Sequence, residues 1–203
     1  MKKEWFKVAI LTVAFVMVGF CSAFAQEAGD KAIGTNFVVG VGNNFTNMGI
    51  GAKFQYNVIK PIRGEGSFTY FFSKDEVSFW DLSVNAHYVL SVMEKVNVYP
   101  LAGLGLVGLK DSGGQKIDLG GAVVQNTNDG SYNQTFLGLN LGGGAEYKLT
   151  DQLYLNAELK YRIKIFDITG KSVTKTPFGN SVGNYYDAYA DRLMLSIGLS
   201  YKF

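Results

Sequence analysis

Cysteine, histidine and proline are nearly missing from this chain of 203 residues. It holds one cysteine (Cys21), one histidine (His87) and three prolines. A lone cysteine excludes a disulfide framework and any multi-cysteine metal site. Charge of one sign is lacking too: 19 basic residues face 17 acidic ones. A nucleic-acid binder would carry a clear basic excess, so that class is excluded. No apolar run is long enough for a spanning helix, which needs about 20 residues. The longest, residues 8–20, falls short of that.

That short run has a purpose of its own. Lys2, Lys3 and Lys7 precede it, and Ala23-Phe24-Ala25 follows as an A-x-A site. This is the layout of a secretory signal peptide, with cleavage expected between Ala25 and Gln26. Residues 1–25 are then a cleaved leader and 26–203 a single domain. An uncleaved anchor is disfavoured by length. A lipoprotein site at Cys21 is disfavoured because Phe20 stands where a small residue is needed. Cleavage removes Cys21, leaving no thiol for catalysis or metal binding. It also removes Lys2, Lys3, Lys7 and Glu4, which balances the charge.

What is abundant is glycine (25 residues), aromatics and alternation. Eight segments follow a period of two, which reads as β-strand with one apolar face. The first, about 33–41, aligns Ile33, Phe37, Val39 and Val41. The second, 48–58, sets Met48, Ile50, Ala52, Phe54, Tyr56 and Val58 against Lys53, Gln55 and Asn57. The third sets Phe68, Tyr70 and Phe72 against Arg63, Glu65, Ser67 and Thr69. The fourth sets Trp80, Leu82, Val84, Ala86 and Tyr88 against Asp81, Ser83, Asn85 and His87. The fifth, 98–109, is apolar on both faces, which leaves its orientation open. The sixth sets Leu137, Leu139, Leu141, Ala145 and Tyr147 against Asn140, Glu146, Lys148 and several glycines. The seventh sets Leu153, Leu155, Ala157, Leu159, Tyr161, Ile163 and Ile165 against Asn156, Glu158, Lys160, Arg162 and Lys164. The eighth, from Arg192 to the last residue, sets Leu193, Leu195, Ile197, Leu199, Tyr201 and Phe203 against Arg192, Met194 and Ser196.

Periodicity alone does not say which face points inward. Strand length does: about 10 to 12 residues suits a tilted strand crossing a bilayer. Tyr56, Tyr88, Tyr147 and Tyr201 close the even segments, as an interfacial girdle would. Connections alternate as well. Short turns follow segments two, four and six, near 59–61, 93–95 and 150–152. Connections 111–133 and 168–190 are long and fall on the opposite side, the asymmetry of outer-membrane barrels. The expected fold is all-β, an eight-stranded antiparallel up-and-down transmembrane β-barrel, with no open edge.

The pattern resembles the OmpA/OmpX-type family of small outer-membrane barrels, including its single-domain members. The resemblance rests on the Lys148-Leu149-Thr150-Asp151-Gln152-Leu153 turn, the segment Tyr99 to Leu106 and the Tyr201-Lys202-Phe203 ending. It implies a bacterial outer-membrane location. It also implies that Tyr201 and Phe203 belong to an assembly signal read by barrel-insertion machinery, with periplasmic chaperones as transient partners. Outer-membrane lipid is the permanent partner.

The motifs that could carry chemistry are weak. Gly103, Gly105 and Gly108 match a dinucleotide fingerprint, but a loop follows where a helix is required. The Asx-rich stretch Gln125 to Gly130 lacks calcium-loop spacing and a closing Glu. The sequons at Asn44 and Asn133 carry no weight in bacterial export. His87 has no histidine partner and reads as a lumen-facing polar residue. Arg63, Glu65, Asp81, Glu146, Glu158, Lys160, Arg162 and Arg192 mix both signs on inward positions. Eight strands leave an interior that side chains can fill, so these charges should pair as a polar network. No catalytic residue, cofactor or metal is assigned. The expected role is structural or adhesive, with an extracellular ligand met through loops 111–133 and 168–190, where Tyr185, Tyr186 and Tyr189 lie. A narrow pore, a lipid-modifying enzyme and a soluble periplasmic barrel are the rival readings.

Overall fold

The computed structural model describes residues 28–42, 45–74, 77–111, 116–118, 123–125, 132–169 and 191–203. The expected leader with its Ala25/Gln26 junction, residues 126–130 and the three loop tyrosines lie outside them. The elements are β1 (Lys31–Gly42), β2 (Phe45–Ile59), β3 (Ile62–Lys74), β4 (Val77–Tyr88), β5 (Leu90–Met93), β6 (Val96–Asp111), β7 (Lys116–Asp118), β8 (Val123–Gln125), β9 (Tyr132–Lys148), β10 (Leu153–Thr169) and β11 (Arg192–Lys202).

Each main strand pairs antiparallel with its chain neighbour, in the order β4-β3-β2-β1-β11-β10-β9-β6. β4 also pairs with β6, from Val77↔Asp111 to His87↔Leu101. The first strand meets the last over eleven pairs, Ala32↔Lys202 to Gly42↔Arg192. The sheet is therefore a closed eight-stranded barrel, with β5 continuing the fourth strand past Val89. Closure gives every ladder a partner, the condition for a sheet in hydrocarbon. β7 and β8 form a separate hairpin within the fifth-to-sixth strand connection.

The faces fall as the alternation predicts. Val84, Leu195, Ile197, Ile50 and Leu159 point outward and are exposed, while Arg63, Glu65, Asp81, Glu146 and Arg162 are buried inside. β6, whose orientation the sequence leaves open, turns Tyr99, Leu101, Val107 and Leu109 inward and Leu104 outward. The register of β10 against β9 slips twice: a bulge between Lys164 and Phe166 leaves Ile165 and Phe166 both exposed, and a second irregularity falls between Asp167 and Thr169. The fourth segment runs further than its alternation suggests. Its ladder breaks at Val89, whose N–H donates to the Pro61 carbonyl at 2.8 Å, and resumes as β5.

Both described termini and the turns at 60–61, 94–95 and 149–152 share one end of the barrel. The sequence's loop asymmetry makes that the expected periplasmic end. Phe203 stays in the ladder through its backbone: its N–H donates to the Lys31 carbonyl at 2.9 Å.

Candidate functional site

The concave surface of this barrel is its lumen, so that is where a site would be built. Alternation sends every second residue inward, and eight strands bring those side chains into contact across the interior. The lumen is arranged in layers from the periplasmic end outward.

The lowest layer is centred on Arg63. Its Nη1 donates to Glu146 Oε2 at 2.8 Å. Asn97 Nδ2 donates to the other oxygen of the same carboxylate at 2.9 Å, and Ser91 Oγ donates to Asn97 at 2.6 Å. The Arg63 guanidinium also lies 4.9 Å from the Tyr99 ring centre and approaches His87 Nδ1 at 3.2–3.3 Å. His87 stacks on Tyr99, with ring centres 4.6 Å apart and 8° between planes. Across the ladder from Tyr99 is Gly144, where an added Cβ would fall 2.6 Å from the phenol ring. The ring occupies the space that the missing side chain leaves.

The middle layer joins two carboxylates. Glu65 accepts from Gln55 Nε2 at 2.8 Å and Asn85 Nδ2 at 3.3 Å, with Lys53 Nζ at 3.9 Å. Glu158 accepts from the Tyr99 hydroxyl at 3.4 Å, with Lys160 Nζ at 3.9 Å. A cavity of about 20 Å³ opens here, lined by Asn36, Lys53, Glu65, Glu158 and Lys160. It is room for about one water.

The third layer is the most connected. Arg162 pairs with Asp81. It also donates from Nη2 to Ser83 Oγ at 3.0 Å and from Nε to Asn140 Oδ1 at 2.9 Å. Ser83 Oγ donates in turn to Asp81 at 2.5 Å, and Asn140 Nδ2 donates to Asn85 at 3.0 Å. Gly105 makes this possible, since a Cβ there would sit 2.5 Å from Arg162 Nη2.

The outer layer departs from the expectation of a wholly polar interior. Val38, Phe71, Phe79, Val107, Leu109, Phe136 and Met194 form one buried apolar cluster. Arg192 lies among them, 4.9 Å from each of the Phe71 and Phe79 ring centres. Above it, Lys164 pairs with Asp167 at 2.8 Å and Gln134 donates to Asp167 at 2.6 Å. The cause is size. Aromatic and long apolar side chains from β3, β4, β6 and β9 fill the cross-section without the solvation that charges would need.

Of the eight inward charges singled out from the sequence, Arg63 with Glu146 and Arg162 with Asp81 form direct pairs. Glu65, Glu158 and Lys160 share the middle layer, and Arg192 stands apart in the outer one. The sequence places Lys53, Gln55, Asn85, His87 and Asn140 on the inward face but does not assign them to this network. Tyr99, Val107 and Leu109 give no signal because their strand is apolar on both faces, and Phe71, Phe79 and Phe136 because they lie at strand ends beyond the polar inward positions. Tyr201 and Phe203 are exposed on the outer surface at the end that carries the short turns.

Glu65, His87 and Glu158 place a ligand atom each within 4.8 Å of one another. Their chemistry does not suit a metal ion. Arg63 can only donate, so His87 Nδ1 accepts and the ring proton sits on Nε2, the atom that faces Glu65 at 3.8 Å. A ligating histidine has the opposite tautomer, donating through its far nitrogen. Lys53 and Lys160 already neutralise the two carboxylates.

The chain belongs to the outer membrane protein beta-barrel domain family, whose model matches residues 8–203. It is an outer-membrane β-barrel protein of bacteria. Solved structures share the fold at low identity. The N-terminal β-barrel domain of Pseudomonas aeruginosa OprF matches at 14% identity and a TM-score of 0.57, over 88% of this chain and 100% of that one. Neisserial surface protein A matches at 18% identity and 0.54, over 86% and 96%. Ail, the attachment invasion locus protein of Yersinia pestis, matches at 17% identity and 0.52, over 87% and 99%. No curated protein matches the chain significantly.

Proposed function

We propose that this protein is a closed, non-catalytic barrel that serves the outer membrane structurally and presents loops 111–133 and 168–190 to an extracellular partner. The observation that carries this reading is the filled lumen. Ion pairs occupy its three lower layers, and the cluster around Phe71, Phe79 and Phe136 stops its outer end. A blocked interior leaves the loops as the contact surface, and loops on a rigid scaffold are where binding residues concentrate. His87 supports the absence of catalysis. Its contacts are Arg63, Glu65 and the Tyr99 ring, so it is packed as part of the lumen rather than paired with a nucleophile. Ail, of the same fold, has been crystallised with the heparin analogue sucrose octasulfate, so a barrel of this size can hold a soluble ligand.

Two measurements test the proposal. Maleimide labelling of cysteines placed at Ser112 and Ser181 on intact cells is expected to be efficient, and labelling of one placed at Asp151 only after permeabilisation. Planar-bilayer recordings are expected to show no resolved conductance steps. Steady channels from the unmodified protein would replace this reading with that of a narrow pore.

A further inference from the structure

Arg192 differs from the other cations of the lumen. Lys53, Arg63, Lys160 and Arg162 each have a carboxylate within ion-pair distance. Among the described residues Arg192 has none. Its Nη2 donates to Asn47 Oδ1 at 2.6 Å, and its guanidinium is held between the Phe71 and Phe79 rings. Ring faces attract the charge but accept none of its N–H bonds in the plane of the group.

Two donors in this pair bond to nothing: Arg192 Nε and Asn47 Nδ2, both buried. The amide cannot be turned to cure this. Turning it would set its NH2 against the guanidinium and lose the 2.6 Å bond. Buried polar groups in folded proteins are satisfied as a rule, and each exception asks for an explanation. Here two unsatisfied donors coincide with the one described lumen cation that lacks an acid. That combination is the complement of an anion.

The backbone is shaped for this arrangement. Gly40 pairs with Asn47 on one side and Met194 on the other. A Cβ at Gly40 would lie 2.9 Å from both Arg192 Nη2 and Asn47 Oδ1. The glycine lets Arg192 reach across β1 to β2. Asp191, next to Arg192 in sequence, is occupied by the Lys164 backbone N–H at 2.7 Å, and the buried Asp81 is paired with Arg162. The surrounding side chains are close-packed, with Phe71 and Phe79 each 1% exposed and Met194 3%. A ligand must therefore be small. Arg192 opens β11 and Asn47 lies near the start of β2, so both sit at the loop end of the barrel.

We propose that Arg192 Nε and Asn47 Nδ2 bind one small inorganic anion, of the size of chloride, at the outer end of the lumen.

The test uses the secreted chain refolded in detergent. Sodium chloride is titrated against sodium gluconate at constant ionic strength, gluconate being too large for the site. The readouts are the ¹⁵N–¹H signal of the Arg192 side-chain Nε–H and the temperature at which the compact gel band is lost. The signal is assigned by its disappearance in Arg192→Lys. Chloride is expected to shift it saturably and to raise the transition temperature, while gluconate does neither. Asn47→Ala is expected to weaken the response at least tenfold and lower the transition. Asn47→Asp supplies a fixed carboxylate beside Arg192. It is expected to abolish the chloride response and to raise the transition above that of the unmodified barrel in gluconate. A chloride shift that is linear and matched by gluconate overturns the proposal. So does an Asn47→Asp barrel no more heat-resistant than Asn47→Ala.

Discussion

Replacing Arg162 by Met is the sharpest probe of the lumen. Arg162 is 1% exposed, pairs with Asp81 and donates to Ser83 and Asn140. Methionine fills much of the same volume but offers no donor. The loss leaves Asp81 buried at 3% exposure with only the Ser83 hydroxyl. Breaking one partner of a buried pair costs about 3 to 5 kcal/mol, because a charge is left uncompensated. At about 1.4 kcal/mol per factor of ten, the folded-to-unfolded ratio drops roughly a hundredfold to several thousandfold. Removing both charges is a different matter. Replacing a buried pair with groups of similar shape is often neutral, so Arg162→Met with Asp81→Asn is expected to recover most of the loss. The assay is urea unfolding of the refolded barrel in lipid vesicles, followed by Trp80 fluorescence. Trp80 faces outward over Gly108, so it reports insertion without belonging to the network. If the double variant is as unstable as the sum of the two singles, the charges act independently and the layered network is wrong.

Three further outcomes are expected. Leu82→Arg, at a 50% exposed position on the outer face, costs about 2 to 4 kcal/mol if it lies near the bilayer midplane; an effect within about 0.5 kcal/mol in vesicle unfolding, the range of an ordinary surface substitution, places Leu82 away from hydrocarbon. In the 149–152 turn, the 2.8 Å hydrogen bond and ion pair with Lys148 hold the Asp151 carboxyl below its usual range. A depressed folded value means the pair stabilises above the unfolded pKa, about 3.9, and that this support is lost as pH falls through the folded value; an NMR titration of Asp151 with a midpoint at or above the usual one contradicts this. Deleting Phe203 removes an exposed side chain and its backbone bonds with Lys31, so refolding in detergent falls little, while outer-membrane yield in cells falls strongly if the insertion machinery reads this end. Equal losses in the two settings leave Phe203 as a girdle residue only.

Much of this was legible in the chain because a β-strand writes its two faces into alternate residues. The outward set from Ile33 to Phe203 and the inward charges from Arg63 to Arg192 follow from a period of two and from the exclusion of charge from lipid. The short and long connections follow from where alternation stops. Three things did not follow. Phe71, Phe79, Val107 and Phe136 are as apolar as their outward neighbours, so local pattern cannot say that they stop the lumen. Gly142 shows the same limit at one residue. Alternation places it on the face opposite Leu141 and gives no sign that a Cβ there would fall 2.2 Å from the Leu159 carbonyl. Partner choice is the third. Arg162 meets Asp81 and Arg63 meets Glu146 across 81 and 83 positions of sequence, and Arg192 is left with Asn47 on a distant strand. Alternation fixes relative faces because it is a property of neighbouring residues. Which inward groups meet, and which one is left without an acid, is settled only when the first strand closes on the last and register sets every side chain at its height.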